Sequence, residues 1–215
     1  MARGIVKAPP MGGSPATTSG KILVTESLAD PVDGTPGMDV GTEISFIDAN
    51  QSKVGDIVDF SLDSTGNGKI NSVVASGTVI PNNFPDNIIV AAGQSVIING
   101  TTAFDGKITI NGGYLSIVDS AHIEGKIEST NPGSFLLISG DKTVTHDGAI
   151  KFTGGNLSIK KANISGKFSS SGAKFIIIQG NTFVGKFEVL NATKCKAGQN
   201  SINGDSNPTL PCDPI

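Results

Sequence analysis

Short apolar runs broken by polar turns set the pattern of this chain. Phe135-Leu-Leu-Ile138 and Phe175-Ile-Ile-Ile178 are typical, each rich in aromatic or branched residues and bounded by glycine. Runs of that length predict β-strands, and nothing in the chain has the period or the length of a helix.

From Phe104 onward the runs fall into a repeat. A glycine with apolar residues close by returns in Phe104-Asp-Gly106-Lys-Ile108, Ile123-Glu-Gly125-Lys-Ile127, His146-Asp-Gly148-Ala-Ile150, Ile164-Ser-Gly166-Lys-Phe168 and Val184-Gly185-Lys-Phe187. These glycines are 19, 23, 18 and 19 residues apart. A longer echo carries Gly112-Gly-Tyr-Leu-Ser-Ile117 into Gly154-Gly-Asn-Leu-Ser-Ile159, 42 residues on. A period of about 20 residues in strand-forming sequence predicts stacked coils, each hiding its apolar side only against its neighbours. The expected fold is therefore all-β, with a triangular β-solenoid (β-helix) of about five rungs over residues 86–191. At its corners, glycine supplies either a positive φ or a close backbone approach.

The first third reads differently. Gly4-Ile-Val-Lys7, Lys21-Ile-Leu-Val-Thr25, Glu43-Ile-Ser-Phe-Ile47, Asp56 to Leu62 and Lys69 to Val74 are five strand candidates, and Asn67-Gly68 is a hairpin dipeptide. They predict a small closed barrel over residues 1–80. Asn82-Asn-Phe-Pro85 marks the boundary, and residues 192–215 read as a polar tail or cap.

Met1-Ala-Arg-Gly-Ile-Val-Lys7 and the hairpin Val54-Gly-Asp-Ile-Val-Asp-Phe-Ser-Leu62 … Gly66-Asn-Gly-Lys-Ile-Asn-Ser-Val-Val74 resemble a cold-shock domain of the OB type. The resemblance implies a nucleic-acid-binding barrel, but the strands that carry base-stacking rings in that family here offer only Phe46. Stacking is worth about 1–3 kcal/mol per base, so an adaptor barrel is the better expectation. The Leu115-Ser-Ile117 … Ile123-Glu-Gly125-Lys-Ile127 grammar resembles bactofilins, β-solenoids that polymerise end to end. A barrel followed by a β-helix is also similar to the spike proteins of contractile phage tails and related injection machines. In those spikes three chains wind the helix together, and the terminal His-x-His that holds metal in many of them is absent here.

Charge is uneven. Residues 1–85 carry five Lys and Arg against nine Asp and Glu, whereas eight lysines lie between Gly148 and Lys196 with Glu188 as the single acid. Lys151, Lys160, Lys161, Lys167, Lys174, Lys186, Lys194 and Lys196 are thus candidate contacts for a polyanion, against the plainer role of blocking sideways aggregation. Cys195 and Cys212 are a candidate disulfide clipping the tail if the protein meets an oxidising compartment. With no nearby histidine they make no zinc site.

Chemistry-bearing residues are few. His122 and His146 are the only histidines, and no nucleophile elbow accompanies them. Asp119, Glu124, Asp141 and Asp147 could line one solenoid face as carboxylates do in carbohydrate-cleaving β-helices, but bare coils form no deep cleft. Asp63-Ser-Thr65-Gly-Asn67-Gly68 imitates the start of an EF-hand loop, yet Val74 replaces the closing glutamate and the hairpin reading is preferred. No apolar stretch approaches the length of a membrane span, and the N-terminus lacks the apolar core of a signal peptide.

The expectation is a structural protein without catalytic, cofactor or metal residues. It is a spike- or fibre-type component of a virion or injection machine, anchored through its barrel and projecting its solenoid. It would assemble as a homo-oligomer, a trimer by preference, and reach its place without a signal peptide. A bactofilin-like cytoplasmic scaffold and a polyanion-binding module are the alternatives.

Overall fold

A computed structural model describes residues 2–8, 19–27, 42–47, 52–80, 86–99, 103–118, 121–205 and 212–214. Every regular element among them is a β-strand, and none is a helix. The chain divides into two compact units, Met1–Thr78 and Val79–Ile215.

The first unit is a closed five-stranded barrel built from β1 (Ala2–Ala8), β2 (Gly20–Ser27), β3 (Glu43–Phe46), β4 (Ile57–Leu62) and β5 (Gly68–Ala75). The strand order is β1-β2-β3-β5-β4, and β1 closes the ring by pairing antiparallel with β4. Ala2, Val6, Ile22, Val24, Phe46, Val58 and Phe60 fill the interior. Residue 4 has to be glycine, because a β-carbon there would run into Ile22 and the carbonyl of Leu23.

The second unit is a β-solenoid of about eight turns, with strands stacked parallel. Its first face stacks six strands: Asn87–Ala91, Lys107–Asn111, Ile127–Ser129, Ile150–Thr153, Phe168–Ser171 and Phe187–Leu190. The second face runs from Ser95–Ile98 through Tyr114–Val118 and Phe175–Gln179 to Lys194–Gly198 and Asp213–Pro214. Between them, Phe135–His146 and Asn156–Ile164 run on past the second face into a short third face. There they pair with His122–Ile123 and Thr182–Phe183, and the latter pairs with Ser201–Ile202. Each coil is closed by this one chain and hydrogen-bonds to the next.

Side chains one rung apart stand in line. On the second face Val96, Leu115, Leu136, Leu157, Ile176 and Cys195 form one inward ladder, and Ile98, Ile117, Ile138, Ile159 and Ile178 form another. On the first face Ile88, Ile108, Ile127, Ile150, Phe168 and Phe187 stack in the same way. Beside them runs Val90, Ile110, Ser129, Phe152, Ser170 and Val189, where the bulky Phe152 sits between two small serines. The outward row of the second face alternates Ile97, Ser116, Leu137, Ser158 and Ile177, all buried. That two-rung alternation is the structural content of the 42-residue echo.

Two expectations are corrected. The stack exceeds five rungs, because the glycine motif marks only its middle, while Asp86 and Gly204 occupy the same corner at either end. Within the range read as a polar tail or cap, the described strands Lys194–Gly198, Ser201–Ile202 and Asp213–Pro214 continue the coil. Polar composition hid this, since Cys195 is the one buried hydrophobic residue in its strand.

Candidate functional site

The densest group of chemical side chains lies on the third face, around His122. Pairing sets His122 opposite Thr145 and Ile123 opposite His146. The His122 ring shares a hydrogen bond with Thr145 through Nδ1, while Nε2 lies 3.1 Å from Glu124 Oε1 and 3.5 Å from Asp147 Oδ2. Ser165, one rung further, donates its hydroxyl to Asp147. Three coils thus contribute nothing deeper than a surface network: His122, Glu124 and Asp147 are all partly exposed.

The order of these groups decides what they can do. Asp147 stands between Ser165 and His122, so the histidine is not placed to take the serine proton, as a nucleophilic triad requires. Among the described residues no group of three His, Cys, Asp or Glu side chains has a metal-holding geometry. The cluster instead ties successive rungs together with polar contacts. Of the other carboxylates considered, Asp119 and the side chain of Asp141 lie outside the described residues.

His146 is not part of this surface. It points inward in the ladder of Phe104, Ile123, Ile164, Phe183 and Ile202, and is fully buried. Its Nδ1–H donates to the carbonyl of Ile123 at 3.0 Å, and Nε2 has no partner. Burial pushes its pKa below the ordinary 6.5, against smaller upward effects from the Ile123 hydrogen bond and Asp147.

The eight lysines do not converge. Lys151, Lys167 and Lys186 lie along the first face, where Lys107 and Lys126, outside the lysine-rich stretch of the sequence, share the row of the last two. Glu128 accepts ion pairs from both Lys107 and Lys126, and Glu188 lies 3.9 Å from Lys186. Lys160, Lys194 and Lys196 belong to the second face, Lys174 precedes it, and Lys161 is a corner residue with a φ of 53°. Among the described residues, Glu128 and Glu188 interleave with the first-face lysines, and the other lysines are dispersed over further sides.

Cys195 and Cys212 are joined by a disulfide with Cα atoms 4.4 Å apart. Cys212 thereby extends the Val96 to Cys195 ladder by one more rung, next to the pairing of Lys196 with Asp213. Asp63 Oδ1 accepts from the Thr65 hydroxyl at 2.6 Å and from the amides of Thr65 and Asn67 at 2.8 and 2.9 Å. These bonds, the Thr65 hydroxyl first, hold its carboxyl below the ordinary range. They commit that oxygen to the turn.

A buried asparagine ladder holds one corner of the coil. Asn181 is buried at the turn into the third face, where its Oδ1 accepts from the Ala162 amide at 3.0 Å and its Nδ2 donates to Ile159 O at 2.8 Å. Asn200 repeats the arrangement one rung on, donating to Ile178 O at 2.9 Å and accepting from the Asn181 amide at 3.0 Å. Their 19-residue separation was the available signal. No family model matches the chain, and comparison with curated proteins and with solved structures finds no match.

Proposed function

We propose that this is a non-enzymatic structural protein, a spike- or fibre-type surface component of a virion or injection machine in which the barrel anchors and the solenoid projects. One observation carries the reading. The inward ladders stay in register from rung to rung, and the last described rung is fastened by a disulfide. Backbone hydrogen bonds along such a stack resist bending and shear. An adaptor role for the barrel is supported by its strand order, with β3 and β5 pairing parallel through Phe46 and Gly68, as in an OB-type Greek-key barrel. Its one candidate stacking ring, Phe46, is fully buried and so not offered to a base. The homo-oligomer in this reading, a trimer by preference, forms by side-to-side contact, because each coil is already closed by one chain.

Sedimentation and negative-stain imaging of the full chain test the proposal. Discrete particles of fixed stoichiometry are expected, and immunogold against the solenoid should decorate extracellular particles or tail-like assemblies. Long filaments formed without any cofactor would overturn it in favour of a bactofilin-like scaffold.

A further inference from the structure

The rung that carries His146 differs from its neighbours by an insertion, and by the residue it places in the core. It holds the longest spacing between corner glycines, 23 residues against 18 or 19 elsewhere. Its strand Phe135–His146 breaks register between Ser139 and Val144 before resuming the third-face pairing. In this same rung a titratable ring replaces the aliphatic or aromatic residue found at every other described level of the ladder.

We propose that this rung is an acid-labile joint, a place where the solenoid opens locally when the surroundings fall below about pH 6.5. The tautomer dictates the direction. Nδ1 carries the proton given to Ile123 O, so a second proton must go to Nε2, which faces the apolar interior without an acceptor. A charged ring there is poorly tolerated, whereas an opened rung exposes it to water. The groups facing it are Asp147, which favours the charged ring, and His122, which opposes it when charged. On the outer side of the same rungs, His122 Nε2 lies 3.1 Å from Glu124 and 3.5 Å from Asp147. Acid therefore loosens the ladder at His146, and because the neighbouring levels carry isoleucine and phenylalanine, with no proton to take up, the opening is local rather than a general unfolding.

Linkage sets the size of the effect. The opened state binds a proton more readily than the closed one, so protection is complete above the unfolded value near 6.5 and declines as pH falls from there toward the lower folded value. One proton per opening corresponds to about tenfold loss of protection per pH unit within that window. Hydrogen–deuterium exchange of the full chain between pH 7.5 and pH 5, corrected for intrinsic rates, reads it directly. Peptides covering 121–127 and 144–152 should lose protection at about that slope. His146→Leu should abolish the slope, and His122→Gln should keep it. Unchanged protection in the wild-type chain, persistence of the slope in H146L, or its loss in H122Q would each overturn the proposal. Should H146L fail to fold, histidine-ring NMR of the wild-type chain decides. His146 must stay neutral through pH 6.5 while the chain is folded, and an ordinary midpoint for its ring would sink the idea.

Discussion

Gly125 lies directly against the carbonyl oxygen of Gly106, so close that a β-carbon on Gly125 would overlap it. The same contact recurs between Gly148 and Gly125, Gly166 and Gly148, Gly185 and Gly166, and Gly204 and Gly185. None of these glycines has a positive φ, so closeness rather than conformational freedom demands them. Asp86 heads the column, and its own carbonyl is what a β-carbon on Gly106 would strike. The left-handed residues occupy other corners: Gly112, Gly154, Gly172 and Asn191 at one, and Lys161, Gly180 and Gln199 at another.

Substitutions should therefore behave oppositely at the two kinds of corner. Gly125→Ala is expected to cost about 3 kcal/mol or more, the upper range for forcing extra volume into a packed interior. Gln199→Gly, at a φ of 56°, should instead stabilise by about 1 kcal/mol, because glycine escapes the left-handed penalty. Equilibrium denaturation measures both, and equal effects at the two sites would refute the distinction.

Asn181→Ala should destabilise by about 2–3 kcal/mol, since it strands a buried amide of Ala162 and a carbonyl of Ile159. Exchange of the Ala162 amide should quicken more than that of Ile117, which lies two rungs away. A uniform change in both would assign Asn181 a general packing role instead.

Replacing Cys195 and Cys212 together by serine should remove about 3 kcal/mol, the amount expected for a loop closed over 17 residues. The loss should be visible as faster exchange in Lys194–Gly198 before the middle rungs respond. Reductant added to the wild-type chain should reproduce it, and an unaffected transition midpoint would show that the cross-link does not hold the final rung.

Glu128 provides a pH and salt test. Hydrogen bonds from Lys107 and then Lys126 lower its pKa from the ordinary 4.5. Its contribution is present above that ordinary value and fades as pH falls through the lower folded one. Because the carboxylate is partly exposed, Glu128→Gln should cost less than about 1 kcal/mol and the difference should shrink in high salt. A larger, salt-independent loss would mean that Glu128 has a packing function.

The barrel should not capture single-stranded nucleic acid at physiological salt. Fluorescence anisotropy of a labelled oligothymidine with the full chain tests this directly, and tight binding would restore the cold-shock expectation. Burial of Phe46 is the reason for expecting none.

Much of the solenoid was legible in the sequence because its order is local in rung number. Each apolar residue near a corner must match one about 20 residues away, and that spacing is written in the chain. The ends were not legible. Cys195 takes the position of Ile176 and Leu157 with almost no apolar neighbours to announce it, and Asn181 reads as a turn residue until its partners on the adjoining rungs are known. The histidines show the same limit. His122 and His146 are 24 residues apart, which leaves open whether they share a face. Alternation along the strand sends one outward to Glu124 and Asp147 and the other inward among isoleucines.

By itself, then, the sequence determined that the chain is made of strands, that they repeat, and roughly where the repeat lies, because strand formation and period depend on neighbours a fixed distance along the chain. The tertiary structure alone decided which glycines touch a carbonyl, that the lysines part company over several sides, and that one histidine is sealed in the interior. Those outcomes depend on which way a side chain points once the coils are stacked, and a shift of a single residue reverses it.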